Sequence, residues 1–344
     1  MKNRLVYVLI SLAVSAVLLA VLFSQVRAED FGRILAGIYV PALLAYVAVN
    51  LAAAAVRAWR YKILLAPARI GWGNMLLVTF IRNSFVDLLP ARIGSLSYVY
   101  VLNKRLGFSF ESAASTFVVA MVFDFLTLSP FILVSLLAVG GSAQGLPFLS
   151  LLAAAGAFFV LFGLIVWKLV PLSRLALRAL SAVLRLLGWA DRPKARTAGL
   201  KIGATIDSLE TIRRRGIAGR LFGLSLLIRA GKYLSLFALL HALLRSQGFG
   251  LFDLSFGKII LGVTGAELTS LLPVKGLAGF GTWESAWAVA FRLMGYDPRF
   301  AVLTGIGVHL VSNLFEYSLG LAALLILVVP YLRRRRKATS ASRS

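Results

Sequence analysis

Two segments of this chain place proline and charge inside otherwise apolar sequence. Leu-Leu-Pro occurs at 88–90 and again at 271–273, with Arg92 two residues after Pro90 and Lys275 two residues after Pro273. The echo continues downstream, where Gly107 and Ala113 match Gly295 and Ala301 in spacing. Further polar groups surround each break: Arg82, Asn83, Ser84 and Asp87 in the first unit, and Glu267, Thr269, Ser270 and Glu284 in the second. Asp124 follows the first unit, and His309 and Glu316 follow the second. A charge held at the centre of a bilayer costs at least about 2.5–3.5 kcal/mol on insertion scales, so each of these positions needs a reason.

Proline breaks a helix and leaves amides and carbonyls free, and a free helix N-terminus favours an anion. Arg92 and Lys275 beside such breaks read as phosphate ligands. Arginine offers forked donors and lysine a point charge. Glu267 and Glu284 suit a cationic headgroup, a coupling proton or a structural ion pair. Asp87 suits a register-fixing pair with Arg82 or Arg92. His309 titrates near neutral pH or serves in packing or capping.

Other chemistry is restricted. The chain has no Cys and two His, which excludes thiolate nucleophiles, disulfides and thiolate zinc sites. No HExxH, GxSxG or paired-aspartate motif is present, and Gly276-Leu-Ala-Gly-Phe-Gly281 lacks the Gly-Lys-Ser/Thr ending of a nucleotide loop. The expectation is a non-enzyme without cofactor or metal. The net charge of +24 reflects basic residues crowded between apolar runs. That pattern follows the positive-inside rule and suits anionic inner-leaflet lipids, and nucleic acid is not an expected partner.

The elements that must hold these residues are membrane helices. The chain has 344 residues, 60% of them hydrophobic and 15% charged. The fold class expected is an all-α polytopic membrane protein with about six full spans, near 5–24, 34–56, 112–139, 147–170, 221–244 and 300–329. Arg57, Arg60, Lys62 and Arg69 after the second span mark the cytoplasmic side. The two Leu-Leu-Pro units, 74–103 and 256–294, read as re-entrant hairpins. Their shorter arms reach only about 15–18 Å by helical rise, half a bilayer. Four tilted full crossings give the same loop orientation. Three full spans separate the units, so the repeats should be inverted, with both tips near the midplane.

The chain then reads as one membrane domain over 1–344, with repeat 1 at about 34–139 and repeat 2 at about 221–329. Between them a cytoplasmic loop at 171–220 includes an amphipathic stretch, Arg174, Arg178 and Arg185 opposite Leu175, Leu180, Leu184 and Leu187. A simple solvated linker is the other reading of that loop. The basic tail at 330–344 places both termini in the cytoplasm of a multi-pass cell-membrane protein.

The segment Leu88-Leu-Pro-Ala-Arg-Ile-Gly94, with Asn83 before it and Lys104-Arg-Leu-Gly107 and Asp124 after it, resembles the flippase-type transmembrane domain of lysylphosphatidylglycerol synthases. Arg57-Ala-Trp-Arg-Tyr-Lys-Ile-Leu-Leu65 and the Pro273, Gly276, Gly279 and Glu284 spacing extend the resemblance over nearly the whole chain. The resemblance implies a membrane domain that moves a phospholipid or polyprenyl-linked lipid between leaflets; synthase activity is not implied. Departures occur at Ser95 and Tyr98, where the family often has Glu and Arg. Ala120 and Met121 replace an acidic-basic pair, and His309 stands where the family tends to have Arg. The expected substrate-binding set is therefore Arg82, Asn83, Asp87, Pro90, Arg92, Asp124, Glu267, Pro273, Lys275, Glu284 and His309. Two alternatives stay open: a non-transporting partner of a lipid-modifying glycosyltransferase, and a membrane-embedded enzyme on lipid-linked phosphate. Homo-oligomerisation is open as well.

Overall fold

The structure is a computed structural model that describes residues 16–22, 24, 28–86, 94–139, 148–189, 192–269 and 276–341. Asp87, Pro90, Arg92, Pro273 and Lys275 lie outside the described residues, as do the turn at 140–145 and most of the first expected span. Among the described residues all regular structure is helical. In chain order the helices are α1 (described over 16–22), α2 (Ala28–Ala36), α3 (Val40–Leu65), α4 (Trp72–Val86), α5 (Ser97–Leu106), α6 (Phe110–Leu126) and α7 (Leu128–Val139). They continue as α8 (Phe148–Trp167), α9 (Leu169–Leu186), α10 (Pro193–Arg214), α11 (Ala218–Leu244), α12 (Phe256–Leu268), α13 (Thr282–Leu293) and α14 (Pro298–Ala341).

Among the described residues four helical stretches are long and apolar enough to cross a membrane: Val40–Leu65, Phe110–Val139, Ala218–Gln247 and Pro298–Leu327. Leu152–Ile165 and Leu169–Leu186 meet the same standard as a pair bent by 77°, which would make a fifth. The arms of the proline-broken units are shorter. By helical rise α4, α5, α12 and α13 extend about 15–22 Å, below the roughly 30 Å hydrocarbon thickness.

The local signals that end these helices are legible. Pro41 stands in the first turn of α3, where its missing N–H costs nothing. At the other end of α3, the Arg215 guanidinium donates to the carbonyls of Ile63, Leu64 and Ala66 at 2.7–3.2 Å, satisfying orphan acceptors with a cation. Ser109 caps α6 by accepting from the Ser112 amide at 3.1 Å.

Apolar packing forms two clusters. One gathers Tyr61, Met75, Val78, Ile81, Tyr98, Leu102 and Phe123 from α3 to α6. The other gathers Tyr233, Leu240, Ile259, Val263, Trp287, Phe291 and Val308 from α11 to α14. In the second, Phe280, His309, Trp283, Trp287, Phe291, Tyr296 and Phe300 form a column of ring contacts, and Trp287 Nε1 donates to Thr304 Oγ1 at 3.1 Å. The column explains Gly262: a β-carbon there would lie 2.2 Å from Phe291 Cε2, and Phe291 stacks on Trp287 so that its ring has little room to retreat.

The segment at 168–220 is folded rather than a loose linker. Ile206, Leu209 and Ile212 of α10 are buried in the first cluster, and Ser208 hydrogen-bonds Ser115 of α6 at 2.9 Å. The amphipathic stretch is α9, which leaves Leu172, Leu175, Leu180 and Leu186 exposed. Arg174 of α9 pairs with Glu210 of α10. The hydrogen bond from Arg214, and then the charge of Arg174, hold the Glu210 carboxyl below its ordinary range.

Candidate functional site

Charged side chains converge where the two apolar clusters meet. Three of the long helices contribute polar stripes at helical spacing: Tyr46, Asn50 and Arg57 on α3, Ser225, Arg229 and Lys232 on α11, and His309, Ser312, Asn313 and Glu316 on α14. With Arg82 and Asn83 of α4, Asp124 of α6 and Glu267 of α12, they line a partly open cavity. The packing of α3 on α11, α4 on α14 and α12 on α7 sets these stripes face to face.

Most of the charges neutralise one another. Arg60 of α3 is fully buried, and its Nη1 donates to Asp124 Oδ1 and Ser225 Oγ, both at 2.6 Å. The expected end of the second span near residue 56 is corrected here, because α3 carries Arg57 and Arg60 within its helical length. The helix continues to Leu65, and both arginines turn toward polar partners inside the protein, Arg57 to Asn83 and Arg60 to Asp124. Their sequence signal, several basic residues after an apolar run, is the same for a loop and for a buried ion pair. Arg229 of α11 donates from Nη1 to Glu267 Oε2 at 2.7 Å and from Nη2 to the Asp124 carbonyl at 2.6 Å, and Lys232 also pairs with Glu267. One guanidinium thus ties α11 to both α6 and α12.

The second unit supplies a separate buried pair. His309 Nδ1 lies 2.6 Å from Glu284 Oε1, and its Nε2 lies 2.9 Å from Asn313 Nδ2. Glu284 Oε2 accepts from the Gly281 amide at 2.8 Å, closing the first turn of α13. Gly281 has φ +86°, a left-handed conformation that favours glycine and makes that turn possible. Trp283 stacks on His309 with centroids 4.8 Å apart and forms part of the cavity wall.

Of the residues singled out from the sequence, Arg82, Asn83, Asp124, Glu267 and His309 come together at the cavity. Glu284 stands behind it, fully buried on His309. Arg82 approaches Asp124, with Nη2 to Oδ2 at 3.9 Å. Residues the sequence reading missed are Arg57, Arg229, Lys232, Tyr46, Asn50, Trp283 and Asn313. Among the described residues no group of three His, Asp or Glu could hold a metal ion.

The arrangement can bind and orient a polar, charged group within a membrane-spanning fold, with donors and acceptors on facing helices. A comparison with curated proteins finds no match. The profile of the lysylphosphatidylglycerol synthase TM region, by contrast, matches residues 8–320, a range that includes every cavity-lining residue, and the chain belongs to that family.

Proposed function

We propose that this protein moves phosphate-bearing lipid headgroups between leaflets, taking the headgroup into the charged cavity while the acyl chains stay in the bilayer. The observation that carries this reading is the cavity itself. Four cationic side chains, Arg57, Arg82, Arg229 and Lys232, and three carboxylates, Asp124, Glu267 and Glu316, line a space between helices of both halves of the chain. Such polar surface inside a membrane fold is costly, and a translocated polar group gives it a purpose.

The packing pattern supports a duplicated architecture. Exchanging α3, α4, α5 and α6–α7 with α11, α12, α13 and α14 turns the contact of α4 with α14 into that of α12 with α7. It also turns the contact of α5 with α6 into that of α13 with α14. We read these as inverted repeats whose short arms meet at the cavity, with Arg92 and Lys275 at the breaks as further phosphate ligands. In this reading the protein breaks and forms no covalent bond, and its basic segments face the cytoplasm.

A translocation path must open to both sides in turn. The chain contains no Cys, so single cysteines placed at Asn50 and Ser312 report cleanly. Both positions line the cavity. Membrane-impermeant maleimide should label each from either face of oriented vesicles. Labelling confined to one face, with or without lipid, would overturn the proposal.

A further inference from the structure

The cations of the cavity are not equally neutralised. Asp124 takes the short ion pair from Arg60, and Glu267 takes Arg229 and Lys232. Arg57 and Arg82 are left to share one neutral acceptor, the Asn83 side-chain oxygen, with Nη1 atoms at 2.6 and 3.3 Å. Arg82 reaches Asp124 only at 3.9 Å, and Arg57 has no carboxylate within ion-pair distance among the described residues. The Nε atoms of both arginines are buried with no hydrogen-bond partner among the described residues, and Arg82 as a whole is only 8% exposed.

Two guanidiniums converging on one amide oxygen make an unfavourable ground state. Like charges face each other in a weakly screened setting, and donors remain unused. A tetrahedral anion resolves both problems, because several oxygens can accept from two forks at once. We infer that Arg57, Arg82 and Asn83 form a clamp for the phosphate of a phospholipid headgroup, with Asn83 holding the two forks in register until the phosphate replaces its oxygen as acceptor. This deepens the translocation reading and rests on it for the lipid source, because the cavity opens within a membrane-spanning fold.

The test uses full-length protein in a maltoside detergent, with lipid affinity read from native mass spectrometry and thermal shift. Phosphatidylglycerol should bind and stabilise the wild type, whereas diacylglycerol with the same chains should not. Arg57→Gln should weaken phosphatidylglycerol binding by about tenfold or more, the range for losing a charged hydrogen bond, and Arg57→Lys by less. Asn83→Asp is the decisive variant. It places a carboxylate between the forks, so it should raise thermal stability while removing the lipid dependence, and the loss cannot then come from misfolding.

Equal stabilisation by both lipids, or unchanged phosphatidylglycerol affinity in Asn83→Asp, would overturn the clamp. Stabilisation by inorganic phosphate without any by phosphatidylglycerol would overturn the lipid assignment. The two proposals fail separately. A wild type that binds through the clamp yet moves no lipid refutes translocation alone, and unimpaired lipid movement by Asn83→Asp refutes the clamp alone.

Discussion

Asp124→Ala is expected to lower the stability of the folded protein by about 3–5 kcal/mol, the range for removing one partner of a buried ion pair. The loss is large because Arg60 is fully buried and has few other partners. Its Nη1 keeps only Ser225, while its Nε and Nη2 are buried without hydrogen bonds among the described residues. Arg82 loses its nearest carboxylate as well. Replacing both members, as in Arg60→Met with Asp124→Leu, should recover most of the loss, since an apolar pair of similar volume carries no desolvation penalty. Thermal unfolding of the purified variants in detergent checks this. A double variant as unstable as Asp124→Ala would show that the loss does not come from stranding the Arg60 charge.

Glu267→Ala is expected to cost a similar amount, about 3–5 kcal/mol, through Arg229. Glu267 is 7% exposed and receives both Arg229 and Lys232. Without it, Arg229 retains the Asp124 carbonyl as a neutral acceptor, and the joint between α11 and α12 carries an uncompensated charge. Glu267→Gln preserves a hydrogen-bond acceptor and should lose less. Added salt should leave the Gln difference nearly unchanged, because buried pairs are screened far less than exposed ones. A Gln variant equal in stability to wild type would contradict an electrostatic role for Glu267.

Several parts of this site are legible in the sequence because the bilayer makes charge conspicuous. Arg82, Asp124, Glu267, Glu284 and His309 stand within apolar runs, and the structure places each of them at the cavity or directly against a residue that lines it. Their partners are less legible. Arg60 and Asp124 are 64 residues apart, and nothing in the sequence around either one joins them. Arg57 and Arg60 follow an apolar run, so charge bookkeeping assigns them to a loop, whereas the helix carries them on to Leu65. The signal that identifies Arg57 is periodicity: Tyr46, Asn50 and Arg57 fall on one helical face, a polar stripe that a loop residue would have no reason to continue. The same stripe recurs at His309, Asn313 and Glu316. The two Leu-Leu-Pro segments, with Pro90, Arg92, Pro273 and Lys275, lie outside the described residues.

Lipid movement in reconstituted vesicles is the most direct measurement. Phosphatidylglycerol bearing a fluorophore on an acyl chain keeps its headgroup intact, and an impermeant reductant bleaches only the outer leaflet. With protein present, the inner-leaflet pool should become accessible to the reductant. An acyl-labelled lipid lacking phosphate should stay protected, and Arg57→Gln should slow the exchange. An inner-leaflet pool that stays protected in vesicles each holding correctly folded protein would contradict a translocating role for the cavity.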